Sequence, residues 1–163
     1  MNRPRILGLM PHGLALFMAA VFLDSLRFKF TDHPKTQVIF GRLNGWASEA
    51  ALPGLFAHTG LFSQYVIGSI ELLASGLLVI GILPRLRHLQ AGGALAGLLV
   101  MSGAVSFHLF TPLGIDPNQD GGGLFVAACI NLGAAVLLLG VFRRREFALL
   151  LDRVAAVFAP TKP

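Results

Sequence analysis

The sequence predicts an all-α integral membrane protein. Its expected form is a four-helix bundle, with an extracytoplasmic cap between helices 1 and 2 and a C-terminal amphipathic helix lying on the membrane surface. Three observations lead there. The 163-residue chain is 55% hydrophobic and only 13% charged, and its mean hydropathy of +0.72 lies far above that of soluble domains. Four apolar stretches reach the length needed to cross about 30 Å of hydrocarbon with about 20 helical residues: Ile6 to Leu23, Gln64 to Leu83, Leu89 to Phe110 and Gly122 to Phe142. The connections are polar or rich in turn residues, and little chain is left for a separate soluble domain, so residues 1–163 are expected to form one transmembrane unit.

The first stretch follows Arg3 and Arg5 and runs on to Asp24, Arg27 and Lys29 without a small-x-small cleavage site. It therefore reads as a retained helix over about residues 6–30 and not as a signal peptide. Pro11 and Gly13 predict a bend near its start. Residues 31–63 are too polar to span and too long for a tight turn. Within them Val38, Ile39, Arg42, Leu43 and Trp46 fit one amphipathic helix, and Pro53-Gly54 breaks the segment. A short link at Pro84 to His88 forces the second and third spans into an antiparallel hairpin. Pro112, Gly114, Pro117, Asn118 and Asp120 make a turn-rich loop before the fourth span. Beyond Phe142, residues 143–163 begin with three arginines and continue with Phe147, Leu150, Leu151, Val154 and Phe158 at helical spacing, as an interfacial helix does.

Basic residues set the orientation, because Lys and Arg beside spans collect on the cytoplasmic side. One side receives Arg3, Arg5, Arg85, Arg87, Arg143, Arg144, Arg145, Arg153 and Lys162; the other receives Arg27, Lys29, Lys35 and Arg42. Nine against four places both termini in the cytoplasm. The net charge of +5 does not indicate nucleic acid, since the arginines flank spans and do not interleave with aromatics on a polar face. The lone Cys129 and the lack of a CxxC pair exclude a thiol relay within the chain. A haem held by two histidines fits poorly, because His12 and His108 fall toward opposite faces of the membrane, and the cap histidines His33 and His58 have no metal-type spacing with His108.

Function is sought among polar groups at membrane depth. An ionisable residue there costs about 2.5 kcal/mol or more to insert and normally faces a partner, a wet cavity or the bundle interior. Glu71 is such a residue. Gln64, Gly68, Glu71 and Ser75 form one stripe of the second helix, which is expected to face the other helices. The third helix has a close-approach face at Gly93 and Gly97, continued by Met101, Ala104 and His108; that face serves within one chain or between chains, leaving a homo-oligomer open. Ala128, Asn131 and Ala135 play the same part in the fourth. Counting 1.5 Å per residue, Glu71, His108, Asn131 and Asp24 all fall in the outer half, while the inner half has His12 and little else. A pocket opening outward beneath the cap is the expectation, with Glu71 and His108 as reacting groups and Asn131, Asp24, Arg27, Ser75 and Gln64 as ligand contacts. Each has a packing alternative: a protonated Glu71 donating to Asn131 or a backbone carbonyl, a structural His108, Asn131 as interhelical glue, and Asp24 with Arg27 as a boundary ion pair.

The run from Gly68 to Gly81, the Pro84-Arg85 turn and the Phe107-His108 end of the third helix resemble the DoxX-like superfamily of small four-helix bacterial membrane proteins. Phe28 to Thr31, the Phe110-Thr111-Pro112 turn and Gly121 to Gly123 look more like its branch of reactive-chlorine-resistance inner-membrane proteins. The resemblance covers about Phe17 to Phe142, with the cap as a departure from compact members. It implies a bacterial inner-membrane protein associated with membrane redox chemistry, some of whose relatives are small subunits of quinone-linked oxidoreductases. The expectation is an accessory subunit in a membrane complex, binding a quinone or similar lipophilic molecule and taking its electrons from a partner protein. A structural or assembly protein is the second reading, and a small-solute or proton pathway the third.

Overall fold

The computed structural model describes residues 3–158, with side chains from residue 8 onward. The side chains of Arg3 and Arg5, and all of Lys162, which entered the orientation argument, lie outside the described residues. Every regular element among those residues is helical: α1 (Arg3–Lys29), α2 (Pro34–Glu49), α3 (Gln64–Ile80), α4 (Arg87–Phe110), α5 (Gly123–Leu137) and α6 (Arg144–Phe158). A short 3-10 turn, Pro84–Leu86, leads into α4, and one π turn, Leu138–Phe142, extends α5. Three segments are long and apolar enough to cross a membrane: Gly8–Lys29, Pro84–Phe110 and Gly123–Phe142. The α1 helix runs unbroken through Pro11.

The second expected span is shorter than its apolar sequence suggested. Helix α3 has 17 residues and stops at Ile80, three before Leu83. Pro84 is the cause, because the residue before a proline is driven out of the helical region, and Leu83 is extended at ψ 131°. Gly81 then turns the chain so tightly that a Cβ there would lie 2.3 Å from the Gln90 backbone nitrogen.

Helix α3 packs against both α1 and α4, and α5 packs against α4 and α1. Small residues make these approaches close. A side chain at Gly93 would meet the Ala74 carbonyl oxygen of α3 at 2.8 Å, and one at Gly97 would meet Met18 of α1 at 2.9 Å. The Gly93 and Gly97 face is therefore consumed within the chain. Ala15, Met18 and Phe22 of α1, Ala74 and Leu78 of α3, and Ala91 and Ala94 of α4 fill the centre, and Ala134, Ala135 and Leu138 close it from the α5 side.

Helix α2 starts at a cap in which His33 Nδ1 accepts from the Lys35 backbone N–H, with Pro34 at the first helical position, where its missing N–H costs nothing. Leu43 and Ala47 of α2 join Phe56 and Leu113 in a second cluster. Phe107 of α4 abuts it, its ring 5.1 Å from Phe56 and 6.3 Å from Trp46. The α2 segment thus covers the C-terminal end of α4. Helix α6 touches the core through Phe147, but Leu149, Val154, Val157 and Phe158 are exposed, leaving an apolar face of that helix free.

Candidate functional site

A cavity of about 1070 Å³ opens at the α2 end of the helices. Its walls come from the C-terminal half of α1, from α2, from the first turns of α3 and α5, and from the second half of α4; most are aliphatic or aromatic, such as Phe17, Ile39, Ile70 and Leu99. Three buried polar residues line it, Thr36, Glu71 and His108, together with Ser25 and Lys29. At its edge Lys35 Nζ and Asp120 Oδ2 pair at 2.9 Å, tying the start of α2 to the loop before α5.

Glu71, only 2% exposed, points inward from α3 and is held by α1. Its Oε2 accepts from Ser25 Oγ at 2.6 Å and from Lys29 Nζ at 2.9 Å, and its Oε1 accepts from the same ammonium at 3.1 Å. Lys29 also donates to Ser25 Oγ at 3.0 Å, so the hydroxyl hydrogen is shared between Glu71 and the Phe22 carbonyl. The result is a closed triangle of cation, anion and hydroxyl in an apolar wall. Asn131, the partner expected for Glu71, is elsewhere: it is fully buried on α5, outside the cavity lining, and neither its Oδ1 nor its Nδ2 finds a partner among the described residues. Matching depths paired the two residues, but α3 lies between α1 and α4 and not against α5.

Ser25 and Lys29 were missed as partners of Glu71, although a signal for them exists. Ala15, Met18, Phe22, Ser25 and Lys29 follow the alternating 3,4 spacing of one inward helix face. Arg27 lies off that face. It pairs with Asp24 at 3.0 Å with both side chains more than 60% exposed, and its guanidinium covers the Phe28 ring at 4.5 Å. Arg27 is accordingly outside the cavity lining, while Asp24 belongs to it.

His108 is 5% exposed, with its ring 5.5 Å from Phe125. Its Nδ1 lies 2.6 Å from the Gly114 carbonyl oxygen. A carbonyl only accepts, so Nδ1 carries a hydrogen, which leaves Nε2 as the acceptor nitrogen of the matching neutral tautomer.

Ser75 and Gln64, expected as ligand contacts, are outside this cavity's lining. Ser75 donates back to the Glu71 carbonyl at 2.8 Å within α3 and serves the helix. Gln64 fastens the chain after α1: its Nε2 donates to the Lys29 carbonyl and to Asp32, and its Oε1 accepts from Gln37 at 2.9 Å. Asp32, held at φ +52°, also accepts from Tyr65 at 2.8 Å, so this network fixes where α1 ends and where Lys29 is presented. Asp116, in the loop before α5, takes the Asp120 and Gly121 N–H groups at 2.9 and 3.2 Å. The Asp120 N–H bond above all, with those of Gly122 and Gly121, pulls its carboxyl below the ordinary 3.8 against a weaker desolvation effect. That turn positions Asp120 for Lys35.

His33, His58 and His108 have separate partners, respectively Lys35 N–H, Tyr65 and Gly114. Among the described residues no three His, Cys, Asp or Glu side chains are grouped to hold a metal ion. No protein-family model, curated protein or solved structure matches the chain.

Proposed function

We propose that the chain is a DoxX-like protein of the bacterial inner membrane. In this reading α1, α3, α4 and α5 span as a bundle, α2 caps the periplasmic side, α6 lies on the cytoplasmic surface, and both termini are cytoplasmic. The cavity takes a quinone or a similar lipophilic molecule, and the chain works as an accessory subunit of a membrane redox or oxidative-stress system whose electron-carrying partner is another protein.

One observation carries the reading: an apolar cavity of about 1070 Å³, at the upper end of the size range of small-molecule sites, has the buried Glu71 paired with a half-buried Lys29 and a His108 acceptor in its lining. A quinone carbonyl needs a donor, which Lys29 supplies, and a quinol hydroxyl needs an acceptor, which His108 Nε2 supplies. Quinone reduction consumes protons where water is scarce, and carboxylate and imidazole are side chains that can pass them on. Glu71 is the proton-exchanging group in this scheme, with Ser25 fixing its orientation.

The test is extraction in mild detergent followed by identification of bound lipophilic molecules and titration with a short-chain quinone. Ala104→Phe, which places a ring in the cavity wall, is expected to abolish binding while leaving helicity unchanged. A native protein that carries no such molecule and does not bind added quinone would sink the reading. The structural or assembly alternative is favoured by one fact, that Glu71 already has an internal partner for each oxygen. It predicts that Lys29→Met with Glu71→Leu leaves the activity of the complex intact.

A further inference from the structure

At the end opposite α2 lies a buried cation that pairs with no carboxylate among the described residues. Arg143 is 6% exposed, and Gln90 of α4 is fully buried. The guanidinium Nε donates to Gln90 Oε1 at 2.7 Å and Nη1 to the Phe142 carbonyl at 3.3 Å. Both acceptors are neutral. Nη2 of Arg143 and Nε2 of Gln90 have no partner among the described residues, none of whose carboxylates forms an ion pair with Arg143. The stretches 1–7 and 159–163 contain no Asp or Glu. Burial pulls the guanidinium below its ordinary range, with Glu146 opposing that shift and Arg87 adding to it more weakly.

The backbone is built to put Arg143 there. Its N–H bonds to the Leu138 carbonyl at 2.8 Å, closing the π turn, which inserts one residue into the helical ladder and turns this side chain inward while Arg144 and Arg145 stay exposed. Such turns are rare and concentrate at functional sites. Three arginines also precede or open α6, the wrong sign for the amino end of a helix, where the dipole and the free N–H groups favour an anion. Glu146 is the one acidic residue in that first turn, and it does not pair with Arg143; the unpartnered donors of Arg143 and Gln90 beside this helix end suit an anion.

We infer that Arg143, Gln90 and the amino end of α6 form a binding site for the phosphate of an anionic membrane lipid. The phosphate oxygens accept from Arg143 Nη2 and Gln90 Nε2, and exposed Arg87 and Arg144 supply surrounding positive charge. Guanidinium suits phosphate geometry. A lipid is the source because the site lies where the apolar α4 begins and α5 ends, the depth at which acyl chains hold a headgroup, and because the exposed apolar face of α6 continues from it. This inference requires the protein to be in a membrane and is independent of what the cavity binds.

The experiment measures thermal unfolding of the purified chain in micelles containing phosphatidylglycerol, phosphatidylcholine, or phosphatidylcholine with inorganic phosphate, with native mass spectrometry to count retained lipid. Phosphatidylglycerol is expected to raise the unfolding temperature of the wild type well beyond the other two. Arg143→Lys should weaken retention roughly tenfold or more, the scale of one charge-assisted hydrogen bond. Gln90→Glu gives the guanidinium an internal anion. That variant should unfold higher without lipid and lose its response to phosphatidylglycerol, which keeps the test decisive if Arg143→Lys does not fold. Arg153→Ala, on the far part of α6, should respond as the wild type does. Equal responses to both lipids, an inorganic phosphate effect matching that of phosphatidylglycerol, or a full response retained in Gln90→Glu would each overturn the assignment.

Discussion

Glu71→Gln is the perturbation whose cost the structure fixes most directly. The carboxylate is 2% exposed and the Lys29 side chain 15%, so the pair is desolvated on both sides. Gln keeps the volume but replaces one acceptor oxygen with an NH₂ group, which faces the Lys29 ammonium donor to donor. Removing one partner of a buried ion pair costs about 3–5 kcal/mol. Lys29 sits at the last residue of α1, where its stem can carry the charge toward water, so roughly 2–3 kcal/mol is expected. Lys29→Met should cost a similar amount, because it leaves the carboxylate with Ser25 alone. The double variant Lys29→Met, Glu71→Leu should return to within about 1 kcal/mol of the wild type, since apolar replacement of a whole buried pair is close to neutral. Denaturant titration in mixed micelles, read by circular dichroism, gives the full cycle. Additive single effects, or a Glu71→Gln protein as stable as the parent, would refute the view that Lys29 and Glu71 depend on each other.

Asn131 is fully buried with both polar atoms unpartnered among the described residues, so Asn131→Leu should stabilise by roughly 1 kcal/mol; a loss in the same unfolding assay would mean that the amide is engaged. Gly93→Ala places a Cβ 2.8 Å from the Ala74 carbonyl and 2.9 Å from the Leu78 nitrogen, both backbone atoms, and should cost about 1–3 kcal/mol. Its neighbour is the control: Gly92→Ala meets only Leu77 at 3.9 Å and should be neutral or slightly stabilising. Asp116 tests pH. Its folded-state carboxyl lies below the ordinary 3.8, so its support of the loop is complete above that value and disappears as pH falls through the depressed one. Hydrogen exchange at the Asp120 and Gly121 amides should therefore accelerate, relative to its intrinsic rate, only below about pH 4, and Asp116→Asn should show the faster exchange at neutral pH.

The helices were legible where length and composition decide. Three apolar segments of 20 to 27 residues leave few alternatives to long helices, and Pro34 and Ser63, at the start of α2 and α3, are ordinary start signals. The inward direction of Glu71 was legible from the stripe it shares with Gln64, Gly68 and Ser75, all buried or lining an interface between helices. Its partner was not. Height along a helix can be counted from sequence, whereas lateral adjacency depends on which helices touch, and that choice sent Glu71 to Lys29 on α1 instead of Asn131 on α5. Arg143 was hidden for a different reason. Read as one of three boundary arginines, it differs from Arg144 and Arg145 only through a π turn, and a run such as Leu-Leu-Gly-Val-Phe is equally compatible with ordinary helix.

The two ends of the helices therefore stand in different electrostatic conditions. Around the cavity every charge has a counter-charge in the chain: Lys29 with Glu71, Lys35 with Asp120, and Arg27 with Asp24. A ligand there adds to a structure that is already neutralised, so occupancy of the cavity should change stability mainly through apolar contact. At Arg143 the reverse holds, because among the described residues the buried cation meets only neutral acceptors. That end draws part of its stability from whatever anion the surroundings provide. Detergent extraction strips such an anion more readily than it separates Lys29 from Glu71, so the first segment to loosen on delipidation should be the one Arg143 joins, the start of α4 and the junction of α5 with α6. Hydrogen exchange with and without anionic lipid resolves the two ends, and uniform protection in both states would show that Arg143 is satisfied by the protein alone.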